Sequence, residues 1–381
     1  MAKLQEKFQG LAASLKSQFV ERDEMIDGMM CAALAGEHVL LVGAPGAAKS
    51  ALVNAFTSAV TGANLFEWLL GKFTAPEELF GPVSLKALKD ERYARVTTGK
   101  LPEAQVAFID EVFKASSAIL NTLLPILNER KFYNNGKPNA VPLRMLVGAS
   151  NELPDGAELA ALYDRFLMRY WVSYVEQTDN WVAMVSGATK GTGATITLQE
   201  WDAARTEVEG VACDEGVARE LFKLRNQLRA QHVQVSDRRW KQCVRLLKAA
   251  AWMSGESEVL EDHFTVLAAA LWNEQGEIAK VKEVVEAAAG STANEAAKIV
   301  ETISDMIDAL PDTAPGQKLA NDKQQQMIEA NREGARALAK LRDLNNSART
   351  ARAKQRVGAA IKEVEGKLGP MRQAMREQLG L

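Results

Sequence analysis

Between Val39 and Phe56 the chain runs from Val39-Leu40-Leu41-Val42 through Gly43-Ala44-Pro45-Gly46-Ala47-Ala48-Lys49-Ser50 into Ala51-Leu52-Val53-Asn54-Ala55-Phe56. A short apolar run closed by a glycine turn predicts a buried strand, and the residues after Ser50 predict the opening of a helix. A turn of small residues between such elements leaves its backbone N–H groups free to converge on one spot. The helix N-terminus adds partial positive charge there, so the spot favours phosphate. Gly43, Ala44, Pro45, Gly46, Ala47, Ala48, Lys49, Ser50 and Ala51 thus form the candidate triphosphate cradle, a Walker A pattern. Lys49 would reach the outer phosphates and the Ser50 hydroxyl would hold Mg²⁺. The pattern departs at Ala48, whose methyl crowds a position that usually takes glycine.

Val106-Ala107-Phe108-Ile109-Asp110-Glu111 supplies the second half of the chemistry. A buried parallel strand is an apolar run whose carboxyl end faces the ligand crevice of an open α/β sheet. Asp110 at that end would bind Mg²⁺ directly or through water, and Glu111 would orient and activate the attacking water. A later strand, Arg144–Asn151, ends in the polar pair Ser150-Asn151. Asn151 either hydrogen-bonds a γ-phosphate and its attacking water or caps the next turn, and spacing leaves both open. Arg165 and Arg169 lie four apart among apolar neighbours; such arginines pair with local carboxylates or act on a neighbouring subunit's ATP. Val235-Ser236-Asp237-Arg238-Arg239 puts Arg238 in a first helical turn, either solvated or reaching back toward a nucleotide.

The remaining chain reads mostly as helix. Two apolar stripes, Leu4 to Phe19 and Ile26 to Leu34, precede the phosphate loop. Residues 64–70 read as a strand, 92–99 as a small hairpin, and 74–99 as a projecting insertion too poor in apolar residues for the core. Ser116 to Glu129 reads as a helix, and residues 131–143 as a hairpin around Asn135-Gly136. Gly187 to Gly193 marks a linker, and Thr197-Leu198-Gln199-Glu200 has capping-box spacing, as does Thr292-Ala293-Asn294-Glu295. A stripe ending at Leu310 is stopped by Pro311, and Val357 to Met375 forms a short seam interrupted by Gly366, Gly369 and Pro370, which predicts a helical hairpin or short coiled coil. These features divide the chain into a nucleotide-binding core (1–187), a helical lid (188–275) and a C-terminal helical extension (276–381).

Composition narrows the function. A net charge of -3 argues against a polyanion binder throughout, although basic residues dominate the stretch from Arg336 to Arg376 and would offer an acidic partner a surface. Cys31, Cys213 and Cys243 are scattered and odd in number, and the three histidines are scattered too. Neither set predicts a disulfide or zinc framework. No apolar run has membrane-spanning length and residues 1–10 lack a signal-peptide pattern, so the expectation is a cytoplasmic protein without membrane insertion.

In this order the motifs resemble an AAA+ ATPase, and over residues 17–275 they resemble the MoxR family, particularly its RavA branch. The resemblance is carried by Gly-Glu-His-Val-Leu-Leu-Val-Gly-Ala-Pro-Gly at 36–46, Ala-Pro-Glu-Glu-Leu-Phe-Gly-Pro at 75–82 and Phe-Ile-Asp-Glu at 108–111. Leu-Asn-Thr-Leu-Leu at 120–124, Ala-Ser-Asn-Glu-Leu-Pro at 149–154, Leu-Tyr-Asp-Arg-Phe at 162–166 and Val-Ser-Asp-Arg-Arg-Trp at 235–240 complete it. It implies an αβα core with a parallel sheet, a small helical lid, and ATP with Mg²⁺ as ligands. It further implies Lys49 and Ser50 as Walker A, Asp110 and Glu111 as Walker B, and Asn151 as sensor 1. Arg165, or alternatively Arg169, falls on the arginine finger, Arg238 on sensor 2, and Val20-Glu21-Arg22 where such ATPases hold adenine. The segments at 72–99 and 130–143 match insertions that face a central channel. Ala48 is shared by RavA-like members, whereas the extension lacks their β-rich module. The resemblance implies a homo-hexamer that remodels or activates a client, typically with a von Willebrand factor A (VWA) partner. Two alternatives remain: a nucleic-acid-directed motor, and a scaffold whose assembly ATP gates.

Overall fold

The structure, a computed structural model, describes residues 2–310, 321–348 and 351–379. It falls into two compact units. One takes the chain through Val259 together with Val266–Glu283; the other takes Leu260–Thr265 with the chain from Val284 onward.

In the first unit the strands are β1 (His38–Gly43), β2 (Val60–Thr61), β3 (Leu65–Leu69), β4 (Val106–Asp110), β5 (Lys131–Asn134), β6 (Lys137–Ala140), β7 (Met145–Ser150), β8 (Phe166–Val172) and β9 (Ile196–Thr197). Five of them form one all-parallel sheet in the order β3-β4-β7-β1-β8. Parallel strands covered on both faces need continuous apolar runs, and β1 and β7 are buried at every position. Register pairs Val42 with Ser150, Ile109 with Gly148, and Gly43 with Val172. The carboxyl ends of β1, β4, β7 and β8 therefore share one edge, the crevice where open α/β sheets bind ligands.

β8 is a strand that the tandem arginines concealed: Phe166-Leu167-Met168 is its buried apolar run. Residues 92–99 form no hairpin. They fold back along 82–84, with Ser84 N–H donating to Ala94 O at 2.7 Å and Val96 N–H to Pro82 O at 2.8 Å. The insertion is not wholly projecting either, because Leu79 and Phe80 are buried with the sheet's core. Its outer residues Phe73, Leu85 and Tyr93 are exposed. The β5–β6 hairpin turns at Asn135 (φ 53°) and Gly136 (φ 69°), the positive φ pair that Asn-Gly turns adopt. Helices Ser117–Glu129, Leu198–Glu209 and Asp237–Ser254 open on Ser116, Thr197 and Ser236, whose hydroxyls accept the N–H three residues on.

The second unit contains helices Ser291–Asp308, Asn321–Ser347 and Ala351–Leu379 packed through Ile303, Leu338, Leu341, Val357, Val364 and Leu368. Helix Ser291–Asp308 starts from Gly290 without a side-chain cap, so Thr292 lies inside it and does not cap it. Pro311 lies outside the described residues. Some of this unit's basic side chains pair with its own acids: Lys340 with Glu295 at 2.9 Å, Arg342 with Glu365 at 2.9 Å and Lys367 with Asp308 at 3.5 Å. Among the described residues no helix is long and apolar enough to cross a membrane, no cluster could hold a metal through His, Cys, Asp and Glu, and the three cysteines are unpaired.

Candidate active site

The phosphate loop crosses the crevice between β1 and helix Lys49–Ser58. Its backbone is committed: Gly43 has φ 151° and Gly46 φ 79°, while Ala48 takes the left-handed conformation at φ 62°, ψ 20°. Only hydrogen fits at Gly43, where a Cβ would stand 2.2 Å from Val172 O. The Lys49 ammonium is buried and donates to Gly43 O at 2.5 Å, Ala44 O at 3.0 Å and Asn151 Oδ1 at 3.2 Å. Burial pulls its pKa below the usual lysine value, and the charges of Asp110 and Glu111 oppose that pull.

Asn151 links the cation to the carboxylates. Its Oδ1 accepts from Lys49 and its Nδ2 donates to Glu111 Oε1 at 2.6 Å. Glu111 follows β4 in a left-handed conformation (φ 52°), its N–H donating to Asp110 Oδ1 at 2.9 Å and its carboxylate paired with Lys114 at 3.3 Å. That turn sends two adjacent acids in different directions, which lets one serve a metal and the other a water. Asn151 thus stands between Lys49 and Glu111 in the crevice.

The donor set fits a Mg-nucleotide. A buried ammonium beside a small-residue loop at a helix N-terminus suits phosphate, while the Ser50 hydroxyl and Asp110 are hard oxygen ligands that Mg²⁺ prefers. When bound, the ion would neutralise charge on the β- and γ-phosphates. A cavity of about 690 Å³ lies beside the loop, lined by Val20, Glu21, Arg22, Tyr170, Trp171, Val172, Gln177 and Asn180. Its size suits a nucleoside. Arg22 fixes its wall by donating to Ser173 O at 2.6 Å, and Tyr174 donates its hydroxyl hydrogen to Pro45 O at 3.0 Å, tying the wall to the loop.

The arginines part company. Arg169 is buried on β8 and fully used: it donates to Phe166 O, Tyr163 O and Trp272 O at 2.8–3.0 Å and stacks 3.6 Å over the Tyr163 ring. Burial, then the charge of Arg239, lowers its pKa to about 9. It is a structural cation and no finger candidate. Among the described residues Arg165, just before β8, has a 3.3 Å side-chain pair with Asp164 alone, and its buried Nε has no partner. Burial first and the neighbouring charge of Arg238 second lower its pKa.

Arg238 donates to Asn128 Oδ1. Both Arg165 and Arg238 line a second cavity, of about 770 Å³, with Glu37, His38, Arg130, Arg205, Lys241 and Arg245. Glu37 and His38 stand at the amino end of β1, six residues that at ~3.3 Å each put this cavity about 16 Å from the phosphate loop. Arg238 does not reach back to its own chain's loop. The capping geometry of Ser236 sets it in the first turn as expected, but that turn faces the wrong end of the sheet.

Sequence reasoning missed Glu37, whereas Glu21 belongs to the Val20-Glu21-Arg22 stretch given above, although its contacts were not legible there. Glu21 accepts from the N–H groups of Glu176 and Gln177, both at 2.9 Å, and from Asn180 Nδ2 at 3.2 Å. Those contacts, the backbone ones foremost, hold its carboxyl below the usual range. Glu37 is buried and accepts from Gln242 at 2.7 Å and Arg245 at 2.5 Å, fastening helix Asp237–Ser254 to β1. A lone acid directly before an apolar strand was its only signal in the sequence.

Residues 6–205 match the family model described as the MoxR domain in the MoxR-vWA-beta-propeller ternary systems, and residues 216–285 match an AAA lid domain. Two uncharacterized proteins of Methanocaldococcus jannaschii are similar: one is 39% identical, over 75% of each chain, and the other is 42% identical, over 70% of this chain and 72% of its own length. A crystal structure of a "putative ATPase" from Cytophaga hutchinsonii superposes with a TM-score of 0.60 at 17% identity, covering 75% of this chain and 94% of that one. The latter bears on fold alone.

Proposed function

The chain belongs to the MoxR family of AAA+ ATPases, and on that premise we propose that it hydrolyses ATP at sites shared between subunits of a ring, in the first instance a hexamer. The observation that supports this most is the separation of two half-sites. Lys49, Ser50, Asp110, Glu111 and Asn151 gather at the carboxyl end of β1, whereas Arg165 and Arg238 line a cavity at its amino end. One chain therefore carries both halves of a site that it cannot close on itself. A second copy placed head to tail would bring Arg165 and Arg238 to the first copy's phosphates. Such a heterologous contact builds a ring when its rotation closes, and a ring is the assembly proposed here.

Within that site Lys49 and the loop N–H groups hold the triphosphate, and Ser50 and Asp110 hold Mg²⁺. Glu111, oriented by Asn151, takes a proton from the attacking water. Arg165 then stabilises the charge that grows on the transferred phosphoryl oxygens, with Arg238 beside it. Residues 1–187 serve as the core, 188–275 as the lid and 276–381 as an extension. The work done is remodelling or activation of a partner, with a VWA-domain protein the favoured one, since the matched family model is named for systems containing vWA. That model is described by those systems and not by RavA, and the RavA branch rests on the motifs alone.

Subunit mixing tests the shared site. Lys49→Ala and Arg165→Ala chains should each be inactive alone. Mixed in equal amounts they should regain turnover, because some interfaces then join an intact loop to an intact arginine. Absence of any recovery, with both variants folded and assembling, sinks the shared site.

A further inference from the structure

Helix Thr178–Val185 is built inside out. None of its eight residues is buried, yet Trp181, Val182, Met184 and Val185 are all exposed, and helical geometry places them on one outward face. The inward face carries Asn180 and Ala183, both half-buried. An amphipathic helix ordinarily does the reverse, and a contiguous exposed apolar face marks a contact surface.

Its position is set by the nucleotide half-site. The segment leading into it lies on the phosphate loop through Tyr174 and Pro45, and Glu21 accepts from the N–H groups that open the helix. Gln177 and Asn180 line the cavity beside the loop as well. The same end carries exposed Glu176 and Asp179. The opposite end of the sheet carries the cavity with Arg130, Arg165, Arg205, Arg238, Lys241 and Arg245, against which only Glu37 and Glu209 are acidic.

We infer that this helix is the apolar seat on which a second copy of the chain docks, its basic, arginine-bearing end placed against the acidic, nucleotide-bearing end of the first. The inference rests on the shared-site reading above. It adds an interaction surface and a coupling: Glu21 lies at once in the nucleoside wall and at the helix start, so nucleotide occupancy orients the seat. Apolar contact supplies affinity, while the opposed charges set the direction of docking.

The test uses the full chain carrying Glu111→Gln with ATP and Mg²⁺, followed by sedimentation velocity, with binding of a fluorescent ATP analogue measured in parallel. Val182→Asp should leave nucleotide affinity within about 2-fold while raising the concentration needed for assembly by ~10-fold or more. If Val182→Asp also weakens nucleotide binding, the milder Trp181→Ala, judged by the same two readouts, decides. A variant that binds ATP and assembles like its parent overturns the seat and leaves the shared site standing. A parent that binds ATP yet stays a single chain overturns the shared site, and the seat with it. A photo-crosslinker at position 185 should join a second copy within residues 128–130, 205–209 or 238–248. Capture of the chain's own residues 284–381, or of another face, overturns the inference.

Discussion

Ala48 bears the clearest local strain at the site. A left-handed alanine costs roughly 1–2 kcal/mol that glycine avoids. Part of that gain is returned through the unfolded chain's greater freedom, so Ala48→Gly should raise stability by about 1 kcal/mol, read as a urea midpoint shift at constant slope. Glu111 is held differently, turned out of β4 and fixed by Asn151 and Lys114. Glu111→Gln should keep ATP binding and lower turnover by about 10²–10⁴-fold, the usual worth of a positioned base. A scaffold merely gated by ATP would keep its cellular function in that variant, whereas a remodelling motor would lose it. His38 offers a pH test. It is buried, its Nδ1 accepting from Leu146 N–H at 2.9 Å and its Nε2 lying 3.1 Å from Leu127 O. Burial first and the charge of Arg130 second hold its pKa well below the usual value. A depressed histidine contributes stability above its unfolded pKa and loses it as pH falls. Stability should therefore decline by up to about 1.4 kcal/mol per pH unit below pH ~6.5, and His38→Gln should flatten that slope.

At the scale of elements, the contact between β1 and helix Asp237–Ser254 ties the catalytic sheet to the matched lid domain through Glu37, Gln242 and Arg245. The two partners are unequal, because Glu37 is buried whereas the Arg245 side chain is 60% exposed. Burial already lifts the Glu37 carboxyl above its usual value, and Arg245 is the foremost influence against that lift. Arg245→Ala should therefore cost about 1–3 kcal/mol by stranding a buried acid. A carboxyl whose folded pKa is raised loses stability as pH climbs through that pKa, so the deficit should be larger at pH 8 than at pH 5. Thermal melts of both chains at the two pH values measure it.

At the scale of the whole molecule, the order of strands decides the enzymology. With β1 between β7 and β8, the phosphate loop, Asp110 and Asn151 meet at one edge, while the turn before β8 delivers Arg165 to the other. Specific ATPase activity should therefore rise with protein concentration until rings saturate, and a flat profile in a chain that stays monomeric would contradict the shared site. The loop from Gly43 to Ser50, the acids at the end of β4 and the capping box at Thr197 were all legible in the sequence. Each is a short pattern whose physics acts over a few residues: a free N–H, a buried run, a cap. Beyond that reach the sequence misled or fell silent. Arg165 and Arg169 look alike in the chain, and only the packing of β8 against Tyr163 and Trp272 buries one and spares the other. Arg238 was placed in its helical turn by local capping, but the end of the sheet it faces depends on how the lid helix docks onto Glu37. The outward apolar face of helix Thr178–Val185 had no reading in the sequence, and the fold leaves it uncovered. Local rules thus determined which residues can cradle phosphate and activate water, and tertiary packing alone decided which arginines are free and toward which end they point, because burial and direction are properties of neighbours distant in the chain.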